Sequence, residues 1–66
     1  MRKCLLLTLA SNGKKVAVVC DNITLVVDME EESKVFTRIF LKYNIDEETK
    51  WVDVMETSEQ IAKMMR

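Results

Sequence analysis

The stretch that decides the fold is residues 5–20, LLLTLASNGKKVAVVC. Two apolar runs flank Asn12-Gly13, and Asn-Gly between apolar runs is a strong short-range signal for a two-residue hairpin turn. Both central residues of that type I′ turn need positive φ, which asparagine and glycine tolerate. The stretch therefore predicts an antiparallel β-hairpin with strands at residues 3–10 and 15–20.

The register of this hairpin depends on its loop. A tight turn on Asn12-Gly13 leaves one face wholly apolar, through the pairs Leu5–Cys20, Leu7–Val18 and Leu9–Val16. A three-residue loop with Gly13 as a bulge would instead pair Cys4 with Cys20, which favours a cross-strand disulfide. That register matches the hydrophobic pattern less well, so we predict the first one, with two inert, buried thiols.

The remaining elements follow from local signals along the chain. Asp21-Asn22 predicts a second tight turn, which pairs Cys20 with Ile23. Two acidic loops, residues 30–33 and 44–49, separate the later strands, and Thr57 with Gln60 predicts a helix N-terminus with a capping box. The predicted later elements are strands at residues 23–29, 34–43 and 50–55 and a helix at residues 58–65.

These elements predict one β-rich domain over residues 1–66, in the α+β class and mainly β. We expect an antiparallel meander of four to five strands, or a small SH3-like barrel, with a short C-terminal helix. A chain of this length has a solo stability of roughly 3–5 kcal/mol. Interactions between copies therefore weigh heavily in its energetics.

Composition argues against catalysis. The chain has no histidine, which removes serine–histidine and cysteine–histidine pairs, and its two cysteines are too few for a structural zinc site. One glycine cannot build a phosphate-binding loop. Nothing in the sequence brings two of its candidate acid–base carboxylates together in a cleft. These candidate carboxylates are Asp28, Asp46, Asp53 and Glu56. We therefore predict a protein that is not an enzyme and uses no metal or cofactor.

The first ten residues resemble a signal peptide, with two basic residues before an apolar run. The run is short, and the strand-like alternation continues through it, so we interpret it as a strand. No stretch approaches the roughly 18 apolar residues of a membrane span. We predict a cytoplasmic protein that does not bind membranes.

Apolar residues occupy both faces of the predicted sheet, although an antiparallel sheet normally leaves one face polar. One short helix covers only part of one face, so the sheet must curl or meet a partner, most simply a second copy. The first face carries Leu5, Leu7, Leu9, Val16, Val18, Cys20, Ile23, Leu25, Val27, Ile39, Leu41, Val52 and Val54. The second face carries Leu6, Ala17, Val19, Val26, Phe36, Phe40, Trp51 and Met55.

The second face gives the candidate interaction surface: Phe36, Arg38, Phe40, Trp51 and Met55. Burying the two phenylalanine rings contributes roughly 1.5–3 kcal/mol each, which is large beside the solo stability. We predict a non-enzymatic protein-interaction module that forms a homodimer and binds a further, unidentified protein.

A nucleic-acid-binding small barrel is the alternative function. The strand face of Phe36, Arg38, Phe40 and Lys42 alternates rings with cations, as single-strand-binding sheets do. The net charge of −1 and the acidic loops argue against it. Capture of a small ligand between protomers is a third possibility.

Five short motifs span nearly the whole chain: Leu7-Thr8, Asn12-Gly13-Lys14, Asn22-Ile23, Thr37-Arg38-Ile39 and residues 54–61, VMETSEQI. In this order the chain resembles the small FlbD-like flagellar and phage proteins. The resemblance implies a compact, β-rich accessory protein of the phage or mobile-element type, without known catalytic residues.

Overall fold

The computed structural model describes residues 3–43 and 49–66. These residues form two antiparallel sheets and a short C-terminal helix, which confirms the mainly β prediction, and the strands within these ranges close no barrel. The two-stranded sheet contains β1 (Cys4–Thr8) and β2 (Lys15–Val19). The three-stranded sheet contains β3 (Ile23–Glu31), β4 (Lys34–Leu41) and β5 (Trp51–Val54) in that order, and the helix α1 is Ser58–Met64. The predicted second acidic loop falls largely on residues 44–48, outside the described residues.

The loop between β1 and β2 is longer than the predicted two-residue turn. The Leu9 N–H donates to the Lys14 carbonyl at 2.8 Å, which leaves four residues, 10–13, in the loop. Gly13 takes the left-handed conformation with φ 74°, whereas Asn12 does not. Instead, the Asn12 side-chain oxygen accepts the Lys14 N–H at 2.9 Å. Asn12-Gly13 therefore marks the position of the turn correctly, but the predicted two-residue type I′ turn is wrong.

The longer loop shifts the register by two residues, so that Leu5 pairs with Val18 and Leu7 with Val16. Both predicted registers are wrong. A shift of two residues leaves every side chain on its predicted face, because successive side chains in a strand alternate. Leu5, Leu7 and Val18 are accordingly buried, as the predicted first face requires.

The predicted tight turn between β2 and β3 is also wrong. A 3-10 helix at Cys20–Asn22 connects the strands, which belong to different sheets. The Asn22 carbonyl accepts the Lys42 N–H, and its side-chain oxygen accepts the Tyr43 N–H, both at 2.7 Å. Asn22 thus fastens the 3-10 connection to residues 42 and 43, which follow β4.

An irregularity at the start of β3 changes which of its side chains face inward. The register shifts between Ile23 and Leu25, where the pairing with β4 skips Thr24. One extra residue in a strand reverses the faces of those that follow. Leu25, predicted to be in the core, is therefore 55% exposed, and Val26, predicted on the second face, packs against the core.

The hairpin between β3 and β4 turns on Glu32 and Ser33, which have φ values of 50° and 68°. Glu31 pairs with Lys34, so the loop has two residues, and both hold the positive φ of a type I′ turn. The tight turn that the sequence predicts at Asn12-Gly13 is therefore found in the acidic segment.

In the described part of the chain, one isolated β-bridge, between Leu9 and Val54, joins the two sheets. Beside it, the Ala10 N–H donates to the Asp53 carbonyl at 2.9 Å and the Met55 N–H to the Thr8 carbonyl at 2.8 Å. The core lies between the inner faces of the two sheets and consists of Leu5, Leu7, Val18, Ile39, Val52, Val54 and Ile61, with Thr37 as the buried polar residue.

The helix closes one side of this core through Ile61, which has no exposed surface. Thr57 and Gln60 form the predicted capping box. Ser58 donates its N–H and its hydroxyl to Asp28 on β3, at 3.1 and 2.7 Å. At the other end, the Lys3 ammonium donates to the Arg66 carbonyl at 2.8 Å. The helix therefore crosses from β3 to the start of β1 and leaves the outer side of the three-stranded sheet uncovered.

Candidate interaction surface

The outer side of the three-stranded sheet carries most of the predicted interaction residues. On β4, Thr37 and Ile39 point into the core, so alternation turns Phe36, Arg38 and Phe40 outward. Their cross-strand partners on β3 and β5 share this side. We call this surface the aromatic face; it consists of Leu25, Val27, Met29, Phe36, Arg38, Phe40, Trp51 and Asp53.

An ion pair lies in the middle of the aromatic face. Arg38 and Asp53 are directly opposite each other on β4 and β5. The guanidinium donates through Nε at 2.9 Å and through Nη2 at 3.2 Å to the two carboxylate oxygens. The hydrogen bond to Asp53 raises the pKa of Arg38 above its usual range. The side chains keep 21% and 31% of their surfaces exposed, so a docking molecule can reach the pair.

Aromatic rings flank this ion pair on both sides. The Arg38 guanidinium carbon lies 5.6 Å from the centre of the Phe36 ring and 5.0 Å from that of Trp51. Both distances are within the range of cation–π attraction. Two rings and one carboxylate therefore hold the guanidinium in place.

Phe40 and Trp51 continue the aromatic surface towards the edge. They are cross-strand partners, with ring centres 6.5 Å apart and planes inclined at 56°. This tilted arrangement is one that aromatic pairs favour. Trp51 is 40% exposed, and Leu25, the β3 partner of Phe40, is 55% exposed, so the face presents large apolar groups from all three strands to solvent.

Met55 lies beside the aromatic face. It follows β5, is 59% exposed, and lines a shallow hollow with Phe36 and Val35. The structure thus places Phe36, Arg38, Phe40 and Trp51 on one face, and Met55 adjoins that face next to Phe36.

Sequence reasoning missed four members of the aromatic face. Asp53 lies two residues from Trp51, and strand periodicity alone places both on one side. Leu25, Val27 and Met29 reach this face because of the irregularity at Thr24, for which the sequence gives no local signal.

The described carboxylates that the sequence offers for acid–base chemistry are held in separate places. Asp53 binds Arg38, Asp28 binds Ser58, and Glu56 binds Thr8. The hydrogen bonds from the Ser58 hydroxyl and backbone hold the pKa of Asp28 below its usual range. Asp46 lies outside the described residues. Within residues 3–43 and 49–66, no group of three metal-ligating side chains forms a candidate metal site.

Glu56 is ionised despite partial burial. Desolvation favours its neutral form, but hydrogen bonds from the Thr8 backbone and hydroxyl, together with the charge of Lys15, outweigh it and lower its pKa. Lys15 also donates to the Thr8 hydroxyl at 2.7 Å. The Glu56 carboxylate and the Lys15 ammonium therefore both belong to the junction between the sheets.

The two thiols are free. Cys20 is partly buried beside the core, but Cys4 is exposed, which corrects the prediction that both are buried. Cys4 faces outward because its neighbour Leu5 occupies the inner side of β1.

Comparisons with family models, characterised proteins and solved structures find no match to this chain. Among the helical residues that the structure describes, no segment has the length and apolar character needed to cross a membrane.

Proposed function

We propose that the chain is a non-enzymatic protein-interaction module that associates with a second copy through the aromatic face. The observation that carries this proposal is the ion pair of Arg38 and Asp53, which lies between rings on a sheet face that the helix leaves uncovered. Aromatic residues, methionine and arginine are the residues enriched at protein interfaces.

The charges of the face favour a second copy as the occupant. Arg38 and Asp53 are adjacent and of opposite sign, so a two-fold axis near them brings each arginine towards the aspartate of the other copy. The same axis stacks apolar surface around the pair, including Trp51 and Phe40. Because both charges lie at its centre, the aromatic face of one copy is electrostatically complementary to the same face of a second copy.

The same ion pair disfavours the alternative of nucleic-acid binding. Arg38 already has a carboxylate partner on this face, and Asp53 would repel a phosphate that approached it. The proposed role is that of a cytoplasmic accessory protein of the phage or mobile-element type, and the resemblance to the FlbD-like proteins remains a prediction.

Phe40→Glu tests this proposal, because it places a charge in the apolar part of the proposed contact, beside the ion pair. We expect the wild type to be a dimer at low micromolar concentration and Phe40→Glu to be a folded monomer there. Light scattering after size exclusion measures the mass, and circular dichroism checks the fold. Tyr43→Glu is the matched control, since Tyr43 is an aromatic residue that is 70% exposed outside the aromatic face. Equal masses for wild type and Phe40→Glu would refute the proposed contact.

A further inference from the structure

The strand β2 has a free edge. Cys20 donates to the Lys3 carbonyl at 3.0 Å and Leu9 to the Lys14 carbonyl at 2.8 Å, which fixes which β2 residues bond to β1. Hydrogen-bonded and non-hydrogen-bonded pairs alternate in an antiparallel ladder. The main-chain groups of Lys15, Ala17 and Val19 therefore point away from β1, and β2 pairs with no other strand in the described part of the chain.

The outer edges of β3 and β1 are protected, whereas this one is not. The strand β3 carries the charged residues Asp28 and Glu30 on its inward side, a device that discourages strand addition. At the far edge of β1, Thr8 accepts the Met55 N–H and donates to Glu56. The edge of β2 has no proline, glycine or charge between Lys15 and Asp21.

An apolar groove runs beside this free edge, where β2 and the ends of β4 and β5 stand apart. Its lining includes Val16, Val18, Leu41 and Val52. A strand added to β2 would direct alternate side chains into this groove. The edge thus offers main-chain hydrogen bonds and an apolar surface side by side, which is the arrangement that β-strand addition uses.

We infer that β2 pairs in antiparallel fashion with β2 of a second copy, with the two-fold axis at Ala17. In this register Ala17 faces its own counterpart and Lys15 faces Val19 of the other copy, so each of the three outward residues finds a main-chain partner. Val16 then lies opposite the other copy's Val18, so the apolar grooves beside the two β2 edges adjoin each other across the contact.

Charge complementarity selects a second copy as the occupant. Lys14 and Lys15 are exposed at one end of β2, and Asp21 is exposed just beyond the other. Antiparallel pairing about Ala17 brings the basic end of each strand to the acidic end of the other, at both ends of the contact. This contact goes beyond the proposed function, because it uses the two-stranded sheet and leaves the aromatic face free. It joins aromatic-face dimers to one another at higher concentration.

The test is made in the Phe40→Glu variant, so that the proposed aromatic contact is removed first. We expect this parent to form dimers when concentrated, as native mass spectrometry and sedimentation can measure. Ala17 is exposed, so Ala17→Lys and Ala17→Glu leave the core intact. Each alone sets like charges opposite each other and weakens the dimer by about tenfold. Mixing the two variants should restore a heterodimer, because residue 17 then faces an opposite charge.

Ala62→Lys and Ala62→Glu are the matched controls, since Ala62 is exposed on α1. They should leave the dimerisation of the parent unchanged. A parent that stays monomeric when concentrated, while the wild type dimerises, overturns the β2 contact and leaves the proposed function standing. The β2 contact is also overturned if the substitutions at residue 17 leave the dimerisation of the Phe40→Glu parent unchanged. It is likewise overturned if this parent forms assemblies larger than a dimer. A wild type that associates no more than Phe40→Glu, with Ala17→Lys dissociating both, supports the β2 contact and refutes the aromatic one.

Discussion

The carboxylate of Glu56 accepts both hydrogen-bond donors of Thr8, the backbone N–H at 2.8 Å and the hydroxyl at 3.0 Å. Thr8 is the last residue of β1, and Glu56 follows β5 by two positions. The side chain thereby continues the pairing between the two sheets after the main chain of β5 has turned towards the helix. Charged hydrogen bonds of this kind contribute more to stability than neutral ones.

Glu56→Gln should destabilise the fold by about 1.5–3 kcal/mol, because the neutral amide weakens both hydrogen bonds to Thr8. In a chain of this size, such a loss lowers the melting temperature by more than about 5 °C. Thermal unfolding followed by circular dichroism measures the change. Glu59→Gln on the exposed surface of α1 is the control and should melt close to the wild type. A Glu56→Gln variant that melts with this control would contradict the structural role of the junction.

Acid should destabilise the protein through Glu56 and Asp28, whose pKa values are both lowered in the folded state. A lowered folded pKa means that the unfolded chain binds protons more readily, so the stabilisation is complete above the unfolded pKa and is lost as pH falls through the folded one. For carboxylates this places the loss below about pH 4. Urea unfolding at a series of pH values should show a shallower acid slope for the Glu56→Gln, Asp28→Asn double variant. An identical slope would exclude these two carboxylates as the cause.

The turn at Glu32 and Ser33 holds two ordinary residues at positive φ, which costs free energy. Replacing them with Asn and Gly should stabilise the protein by about 1 kcal/mol, because those residues suit a type I′ turn. The converse substitution, Gly13→Ala, should destabilise it by a similar amount, since Gly13 has φ 74°. Urea midpoints of the two variants should therefore move in opposite directions; a shift in the same direction would rule out backbone conformation as the common cause.

The ion pair of Arg38 and Asp53 should contribute modestly to the stability of the isolated chain. Because both groups remain partly exposed, we expect a coupling energy of about 0.5–1 kcal/mol. A double-mutant cycle with Arg38→Ala, Asp53→Ala and the double variant gives this energy from urea unfolding. If the aromatic face is an interface, the same cycle on dimer dissociation should give a larger value. A dissociation coupling no larger than the folding one would place the pair outside the contact.

Local patterns predicted the elements and faces that depend on neighbouring residues. The capping box of Thr57 and Gln60 and the inward side of β1 follow from spacing alone. Phe36, Arg38 and Phe40 share a face because side chains alternate along β4, and Trp51 joins them because Val52 and Val54 occupy the inner side of β5. The pattern could not give the hairpin register, since a four-residue loop and a tight turn leave the same residues inside.

Errors arose where contacts distant in sequence determine the local structure. The separation of β2 from β3 involves the hydrogen bonds that Asn22 accepts from Lys42 and Tyr43, twenty residues along the chain. The outward position of Leu25 depends on how β3 aligns with β4, not on the residues around Thr24. The ion pair of Arg38 and Asp53 likewise requires the alignment of β4 with β5.

The Leu9–Val54 bridge has a dynamic consequence. With so few main-chain hydrogen bonds between the two sheets, their junction should open locally more readily than the ladders within each sheet. The amide protons of Ala10 and Met55 form hydrogen bonds between the two sheets. They should exchange with deuterium sooner than the amide proton of Ile39 inside the three-stranded sheet. We therefore expect local unfolding of the chain to begin at the junction between the two sheets.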